Sequence, residues 1–557
     1  MAYEDILAAV DAVRLMDSVR AICTGERLSN EAEVRSFDVL EKLFTDAGCR
    51  VTREALPGYV STPEGAAFEA GGIAYEVLTH PMTPSADGLE ADLVYVPVDR
   101  TGSASAEEVS GRIVLTDGLA MEPVVRALED RGAAGVVFIT GEEIHNMIVS
   151  RVWGSPTPET LHDYVGIPVA SLSFGDGSRL RARLSEAGGT LPARLSTRVE
   201  SRWTEIPVIT AEIRGADEDF VMVTGHVDSW GLGALDNASG NACAVELARI
   251  LAPLASDMRR SVRFVHWSGH SHGRYAGSTA WCDAHFEELE RHCLLNVNSD
   301  CLGGRGATVM TESPAMASTR GLARTALREA AGVTDWRGCR FSRSCDQSFW
   351  GAGVPSIFSQ VSEQPPFEGA AADAFGKMFG SGRTGGFGAW WHTRTDTPDK
   401  LDPENLARDV RVFASVLAHA LFDERLPVDA AAEVLELRDE LKAWQEKAGD
   451  SLDLSEVLAR LDLLAEALKA AARSDDPKRF EKRSRRVLSE IIPLAYVEGS
   501  VYSHDEALRA PPVPMLRLVD ELATLSGHER NAALVSLRRV VNRLKAGAAR
   551  ALDVARA

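Results

Sequence analysis

The sequence predicts an α/β protein on a largely parallel sheet, with a smaller β/α unit inserted near its start and a helical region at its end. Three observations predict it. Between about 205 and 425, strand-like and helix-like segments alternate. Between about 56 and 195, short β-rich runs are separated by Gly, Pro and Asp turns. Beyond about 428, leucines recur at helical spacing in an Ala/Leu/Glu/Arg-rich stretch.

Bulk properties bound the rest. A chain of 557 residues exceeds one hydrophobic core and suggests roughly two to four domains. Its 45% hydrophobic and 25% charged content is that of a soluble globular protein. A net charge of -21 argues against nucleic acid or an anionic membrane as a main partner, because both need a basic footprint. No apolar run reaches the ~18–20 residues of a membrane helix. The start, Met1-Ala-Tyr-Glu-Asp-Ile6, is acidic and lacks the basic and apolar stretches of a signal peptide. Eight cysteines are scattered with no C-x-x-C pair, which reads as reduced thiols and points to the cytoplasm.

Residues 1 to about 55 read as helical, with Ser29 or Asn30 as an N-cap before Val34, Val39, Leu40 and Leu43. Gly48 stops that helix and Arg50 opens an extended segment. In the insert, Leu93-Val-Tyr-Val-Pro97, Arg112-Ile-Val-Leu-Thr116 and Gly135-Val-Val-Phe-Ile-Thr140 read as strands, and Glu122 to Arg131 as a helix. In the α/β region, strands are expected at Phe220–Thr224, Val262–Trp267 and Leu294–Asn298. Helices are expected from about Ala238 to Leu254 and near Thr279–Leu289. The expected domains are 1–55 with 196–427, the insert 56–195, and the helical region 428–557. In the helical region, Leu435, Leu437, Leu441 and Trp444 share one face, as do Leu458, Leu461, Leu464 and Leu468, before a break at Ala510-Pro-Pro-Val-Pro514.

Four segments of the α/β region carry polar clusters, mostly after strands, where such sheets gather functional residues. They are Gly225-His-Val-Asp-Ser-Trp-Gly231, Gly233-Ala-Leu-Asp-Asn-Ala-Ser-Gly240, Asn298-Ser-Asp-Cys-Leu-Gly-Gly304 and Trp391-His-Thr-Arg-Thr-Asp-Thr-Pro-Asp-Lys-Leu401. Two imidazoles and two carboxylates on neighbouring loop ends suit a divalent metal such as zinc. A bridging carboxylate can hold two ions about 3.5–4 Å apart. Asp228 can fix the tautomer of His226, and Asp396 that of His392.

These segments resemble those of the co-catalytic zinc exopeptidases, which include bacterial aminopeptidases, glutamate carboxypeptidase II-like enzymes and the transferrin receptor. The GHVDS…DNASG and HTRTDT…K blocks carry the resemblance, strongly over residues 200–425. It implies the zinc-aminopeptidase-like α/β/α sandwich, a protease-associated-type insert and a C-terminal helical dimerisation-like domain. It further implies that His226 binds one ion and His392 the other, that Asp236 bridges them, and that Asp300 shares the first ion with His226. One or two divalent ions per chain, most plausibly zinc, follow from it. So does a substrate-facing role for Asp346 and Gln347, which stand where the family often has Ser-Asp-His.

One block departs from the family. Where two adjacent glutamates are expected, a general base and a metal ligand, the chain reads Trp267-Ser-Gly-His-Ser-His-Gly-Arg-Tyr-Ala-Gly-Ser278. In an extended loop end, His270 and His272 point to the same side. His272 is then expected as the replacement ligand. His270 is expected as the catalytic base, a role an imidazole can fill near neutral pH. Arg274 and Tyr275, with Arg383, are candidate substrate contacts.

The expected function is a metal-dependent hydrolase of a small peptide or other amide substrate. A homodimer through the C-terminal helices is expected, because an amphipathic array with no further core to cover finds a partner. The rivals are a non-catalytic binding protein of the transferrin-receptor type and a metal-dependent lyase or non-peptide amidohydrolase. More distant is a serine hydrolase built on Gly269-His-Ser-His-Gly273. Two further segments are set apart by composition: the Gly/Phe-rich stretch Glu363–Trp391 as a lid or substrate-lining loop, and the polar run Glu142–Asn146 with Trp153 as a structural loop.

Overall fold

A computed structural model describes residues 3–98, 102–379 and 386–557. Arg383 lies outside them. The chain opens with helices α1 (Tyr3–Ala8), α2 (Ala12–Ile22) and α3 (Glu31–Asp46). Of the two expected caps, Asn30 is the one used: its side chain accepts from the Glu33 amide. Ser29 instead sits at φ 53° with its hydroxyl turned to His272.

The insert runs through β1 (Arg50–Ala70), β2 (Ile73–Tyr75), β3 (Leu78–Thr79), β4 (Ala86–Tyr95), α4 (Ala106–Val109), β5 (Ile113–Asp117), α5 (Glu122–Glu129), β6 (Gly135–Ile139), β7 (Val169–Leu172), α6 (Phe174–Glu186) and β8 (Thr190–Ile213). β1 and β8 form one long antiparallel ribbon, from Arg50 opposite Glu212 to Ala70 opposite Ala193. Residues 56 and 195 fall inside these strands, so the ribbon belongs to the insert and the main sheet alike. β4 pairs with the outer end of β8, and β4 to β7 run parallel beyond it.

The main sheet comprises β9 (Phe220–His226), β10 (Ser261–Trp267), β11 (Cys293–Asn298) and β12 (Ser356–Ile357), with helices α7 (Ser239–Leu251), α8 (Ala276–Ala284), α9 (Phe286–His292), α10 (Arg320–Ala331), α11 (Ala370–Phe379) and α12 (Pro403–Phe422) around it. The order is β12-β11-β9-β10-β8. β9 to β12 are parallel, and β8 joins them antiparallel to β10, with β1 on its other side. Every residue of β9 is buried, which is why its sequence reads as a near-continuous apolar run. The single helix expected near Thr279–Leu289 is two, α8 and α9, because His285 leaves helical geometry with φ -117° and ψ 17°.

The chain ends in α13 (Ala430–Ala448), α14 (Ser455–Ser474), α15 (Pro477–Tyr496) and α16 (Gly527–Arg556). Leu437, Leu441, Leu461, Leu464 and Leu468 are buried, as are Leu537 and Leu544 of α16. These helices pack against one another. Among the described residues, no helix is long and apolar enough to cross a membrane.

Candidate metal centre

The parallel strands aim their C-terminal ends at one place. His226 is the last residue of β9. Asp300 follows the end of β11 by two residues. Asp236 sits in the loop between β9 and α7, and His392 in the loop before α12. His226 Nε2 lies 3.1 Å from Asp236 Oδ1 and 3.6 Å from Asp300 Oδ1. The other oxygen of Asp236 lies 3.2 Å from His392 Nε2. All four residues are buried.

The sequence prepares this loop closely. Gly233 has φ +52°, and a Cβ there would lie 2.4 Å from the Asp236 carbonyl oxygen. Buried Arg27 braces the loop from the N-terminal region, donating to the carbonyls of Val227, Leu232 and Gly233. The Asp236–Asn237 peptide is cis.

The tautomers are fixed by carbonyls rather than by the expected carboxylates. His226 Nδ1 donates to the Asp228 carbonyl oxygen at 2.9 Å, while the nearer Asp228 carboxylate oxygen is 3.7 Å away. His392 Nδ1 donates to the Asn146 carbonyl oxygen at 2.8 Å. Asp396 does not reach His392. Its carboxylate accepts from the amides of Leu235 and Asp236, and so holds the backbone of Asp236. Either way each ring presents Nε2 to the cluster.

A divalent ion fits this donor set. His226 Nε2, Asp236 Oδ1 and Asp300 Oδ1 are buried without a hydrogen-bond partner, an arrangement that costs free energy unless something completes it. Their 3.1 and 3.6 Å separations bracket the ~3.3 Å edge of a tetrahedron with bonds of about 2.0–2.1 Å. The electrostatics agree. Burial opposes a charge on His226, but Asp236 and Asp300 outweigh it and raise its pKa well above the usual value. Burial likewise opposes ionisation of Asp236, yet His226 and His392 bring its pKa well below the carboxylate range. Asp396, by contrast, is pushed up to about 7 by burial, against its two amide donors. Sequence reasoning passed over Cys301, whose sulfur groups with Asp236 and Asp300 within 4.8 Å. Burial, with both carboxylates adding to it, raises its pKa well above the usual thiol value.

The loop after β10 corrects one expectation. His272 does not face the cluster. Its Nδ1 donates to Asp228 Oδ2 at 3.2 Å, and its Nε2 accepts from Ser29 Oγ at 2.7 Å. With both nitrogens engaged it has no lone pair for a metal. The cause is local: residues 271–274 form a turn rather than an extended end, so alternate residues diverge. Asp228 organises this turn, accepting from the amides of His270 and Ser271.

His270 does face the cluster. Its ring stacks on that of His226 with centroids 3.8 Å apart and planes 15° from parallel. Its Nδ1 donates to Asp346 Oδ2 at 2.7 Å. A nitrogen of His270 lies within 4.8 Å of donors of His226 and Asp300. An imidazole binds a metal through a lone pair in its ring plane, however, and near-parallel stacked rings cannot aim two such pairs at one ion.

A cavity of about 400 Å³ opens beside these residues. Asp236, His270, Asp300 and His392 line it, as do Arg274 and Tyr275. Tyr275 meets His270 edge-on at 4.9 Å. Asp346 and Gln347 are not in this wall. Asp346 is buried behind His270, and Gln347 lines a separate small pocket with Trp153 and Ser348. The insert reaches further than its composition suggested: Met147 and Ile148 line the cavity, and Trp153 packs on Tyr275 with centroids 4.2 Å apart. From the Glu363–Trp391 stretch, Glu363, Met378, Gly386, Phe387 and Trp391 are in the wall.

Residues 208–417, which hold every one of these donors, match peptidase family M28. This stretch is similar to the M28 peptidases. Curated relatives match at low identity. A Caenorhabditis elegans glutamate carboxypeptidase 2 homolog is 24% identical over 262 residues, 43% of this chain and 32% of its own length. The Bacillus subtilis aminopeptidase YwaD is 23% identical over 410 residues, 72% of this chain and 78% of its own. This chain thus matches about a third of the first relative and over three quarters of the second. Among solved structures, BSAP, a zinc aminopeptidase from Bacillus subtilis, aligns with a TM-score of 0.54 and 18% identity over 74% of this chain and 96% of its own. That fold is shared.

Proposed function

We propose that this chain is a metal-dependent hydrolase of peptide or related amide bonds, exopeptidase-like, with a histidine in place of the family's carboxylate base. The observation that carries the reading is the convergence of three orphaned, buried donors, His226 Nε2, Asp236 Oδ1 and Asp300 Oδ1, beside a cavity of substrate size. A purely structural role leaves those groups unsatisfied at a cost.

His226, Asp236 and Asp300, with His392, would hold the divalent metal, and zinc suits these imidazole and carboxylate donors. When bound, such an ion supplies Lewis acidity to the scissile carbonyl and acidifies water. The chain's own residues do the rest. Asp346 fixes the His270 ring, so that Nε2 accepts a proton from the attacking water. The same nitrogen returns that proton to the leaving amine as the carbon–nitrogen bond breaks. Arg274 and Tyr275 border the substrate space. The apolar side chains of Met147, Ile148, Phe341, Met378 and Phe387 favour a substrate with an apolar group. The insert acts as a fixed part of the site through its carbonyl bond to His392.

The test is hydrolysis of a library of free peptides, N-acylated peptides and simple amides. Zinc-loaded protein is expected to cleave at least one class, a chelator to stop it, and added zinc to restore it. His226→Ala is expected to abolish turnover. Absence of turnover by zinc-loaded wild type across all three classes would overturn the reading.

A further inference from the structure

We infer that this chain retains one tightly held ion, at His226, Asp236 and Asp300, and that the position beside His392 does not hold a second. The inference rests on the metal-dependent reading above and adds the number of ions and their place.

The two sides of Asp236 are unequal. On one side, Asp236 Oδ1 faces His226 Nε2, which also faces Asp300 Oδ1. All three atoms are buried and lack hydrogen-bond partners, and His226 is 1% exposed. One imidazole and two carboxylates leave a fourth position open, the usual form of a catalytic single-ion site. On the other side, Asp236 Oδ2 meets only His392 Nε2, at 3.2 Å. Two protein donors do not make a tight site.

Among the described residues, no His, Cys, Asp or Glu completes a group of three with His392. Among the described residues, the groups of three donors within 4.8 Å of one another are His226–His270–Asp300 and Asp236–Asp300–Cys301, and His392 is in neither. Cys301 therefore sits on the first side. His272 has both nitrogens engaged by Asp228 and Ser29. His270 is tied to Asp346 and stacked on His226. Ser271, the other residue in the altered block, is buried with its amide pinned to Asp228, and it offers a hydroxyl where a carboxylate would be needed. Residues 380–385, near His392 in the chain, contain no His, Cys, Asp or Glu. The His-Ser-His block thus supplies no third donor to the His392 side and leaves the His226 side intact.

The experiment is zinc stoichiometry. Full-length protein is loaded with excess zinc, desalted and analysed for metal per chain by mass spectrometry, with calorimetric titration of the metal-free protein alongside. The expected result is one retained ion and a single binding step. His226→Ala is expected to lose it, whereas His392→Ala is expected to keep it, with affinity changed less than about tenfold. Thermal melts followed by circular dichroism establish that the variants fold, and Asp300→Asn stands in for His226→Ala if that variant does not. Two retained ions, or loss of the ion from folded His392→Ala, would overturn the inference while leaving the hydrolase reading in place. No retained ion in the wild type would overturn both.

Discussion

Two histidines separated by one residue take opposite roles here. His270 faces the cavity with Nδ1 on Asp346, and His272 turns inward onto Asp228 and Ser29. Their variants are expected to separate accordingly. Asp346→Asn should keep its metal content and lower kcat by about 10²–10⁴-fold, the usual worth of a positioned base. Its pH–rate profile should shift as well, since an amide holds the ring less firmly than a carboxylate. His272→Ala should also keep its metal, but lose roughly 1–3 kcal/mol of stability by taking one donor from the buried Asp228 carboxylate and leaving the Ser29 hydroxyl without its partner. Metal analysis, steady-state kinetics and thermal melts check the pair. An Asp346→Asn enzyme with unchanged kcat would remove the role assigned to the His270–Asp346 pair.

At the scale of elements, β10 carries a buried histidine with a predictable pH signature. His266 lies in the interior against Phe44, with both ring nitrogens unpartnered. Burial lowers its pKa to about 3, with His226 adding to the effect. The fold therefore prefers the neutral ring, while the unfolded chain takes up a proton near pH 6.5. The stability tied to this ring is present above pH 6.5 and is lost as pH falls toward about 3. His80 is lowered to about 4 by the same burial and acts in the same direction. His266→Leu is expected to flatten the acid limb of a stability–pH curve, by up to about 3 kcal/mol at pH 4.5. Denaturant unfolding at pH 7, 5.5 and 4.5 measures it, and parallel curves for the two proteins would contradict the assignment.

The elements themselves were largely legible in the chain. β9, β10 and β11 appear where apolar β-branched runs placed them, because strands buried on both faces must be apolar. Asn30 caps α3 as its polar side chain before an amphipathic run foretold. The break at His285 was not legible, since α8 and α9 together have a continuous helical composition.

For the whole molecule, the site is assembled from distant parts of the chain. The N-terminal region braces the Asp236 loop through Arg27, and the insert holds His392 through the Asn146 carbonyl. The C-terminal helices reach the cavity through Arg340, a residue of its wall. Arg340 lies 2.7 Å from Glu440 of α13 and over the ring of Tyr496 at 3.8 Å.

By itself, the sequence determined the α/β class, the helical end and the motifs that carry His226, Asp236, Asp300 and His392, which the fold brings together. Strand and helix periodicity are local, and these donors lie in motifs whose spacing is read along the chain. The tertiary structure alone decided which of His270 and His272 faces the cluster, that Asp228 and Asp396 act through backbone contacts, and that the insert completes the site. The reason is that a turn sets each side chain's direction independently of its neighbours in sequence. Hydrogen-bond partners such as Ser29, Asn146 and Asp346 arrive from segments far apart in the chain, and only packing brings them together.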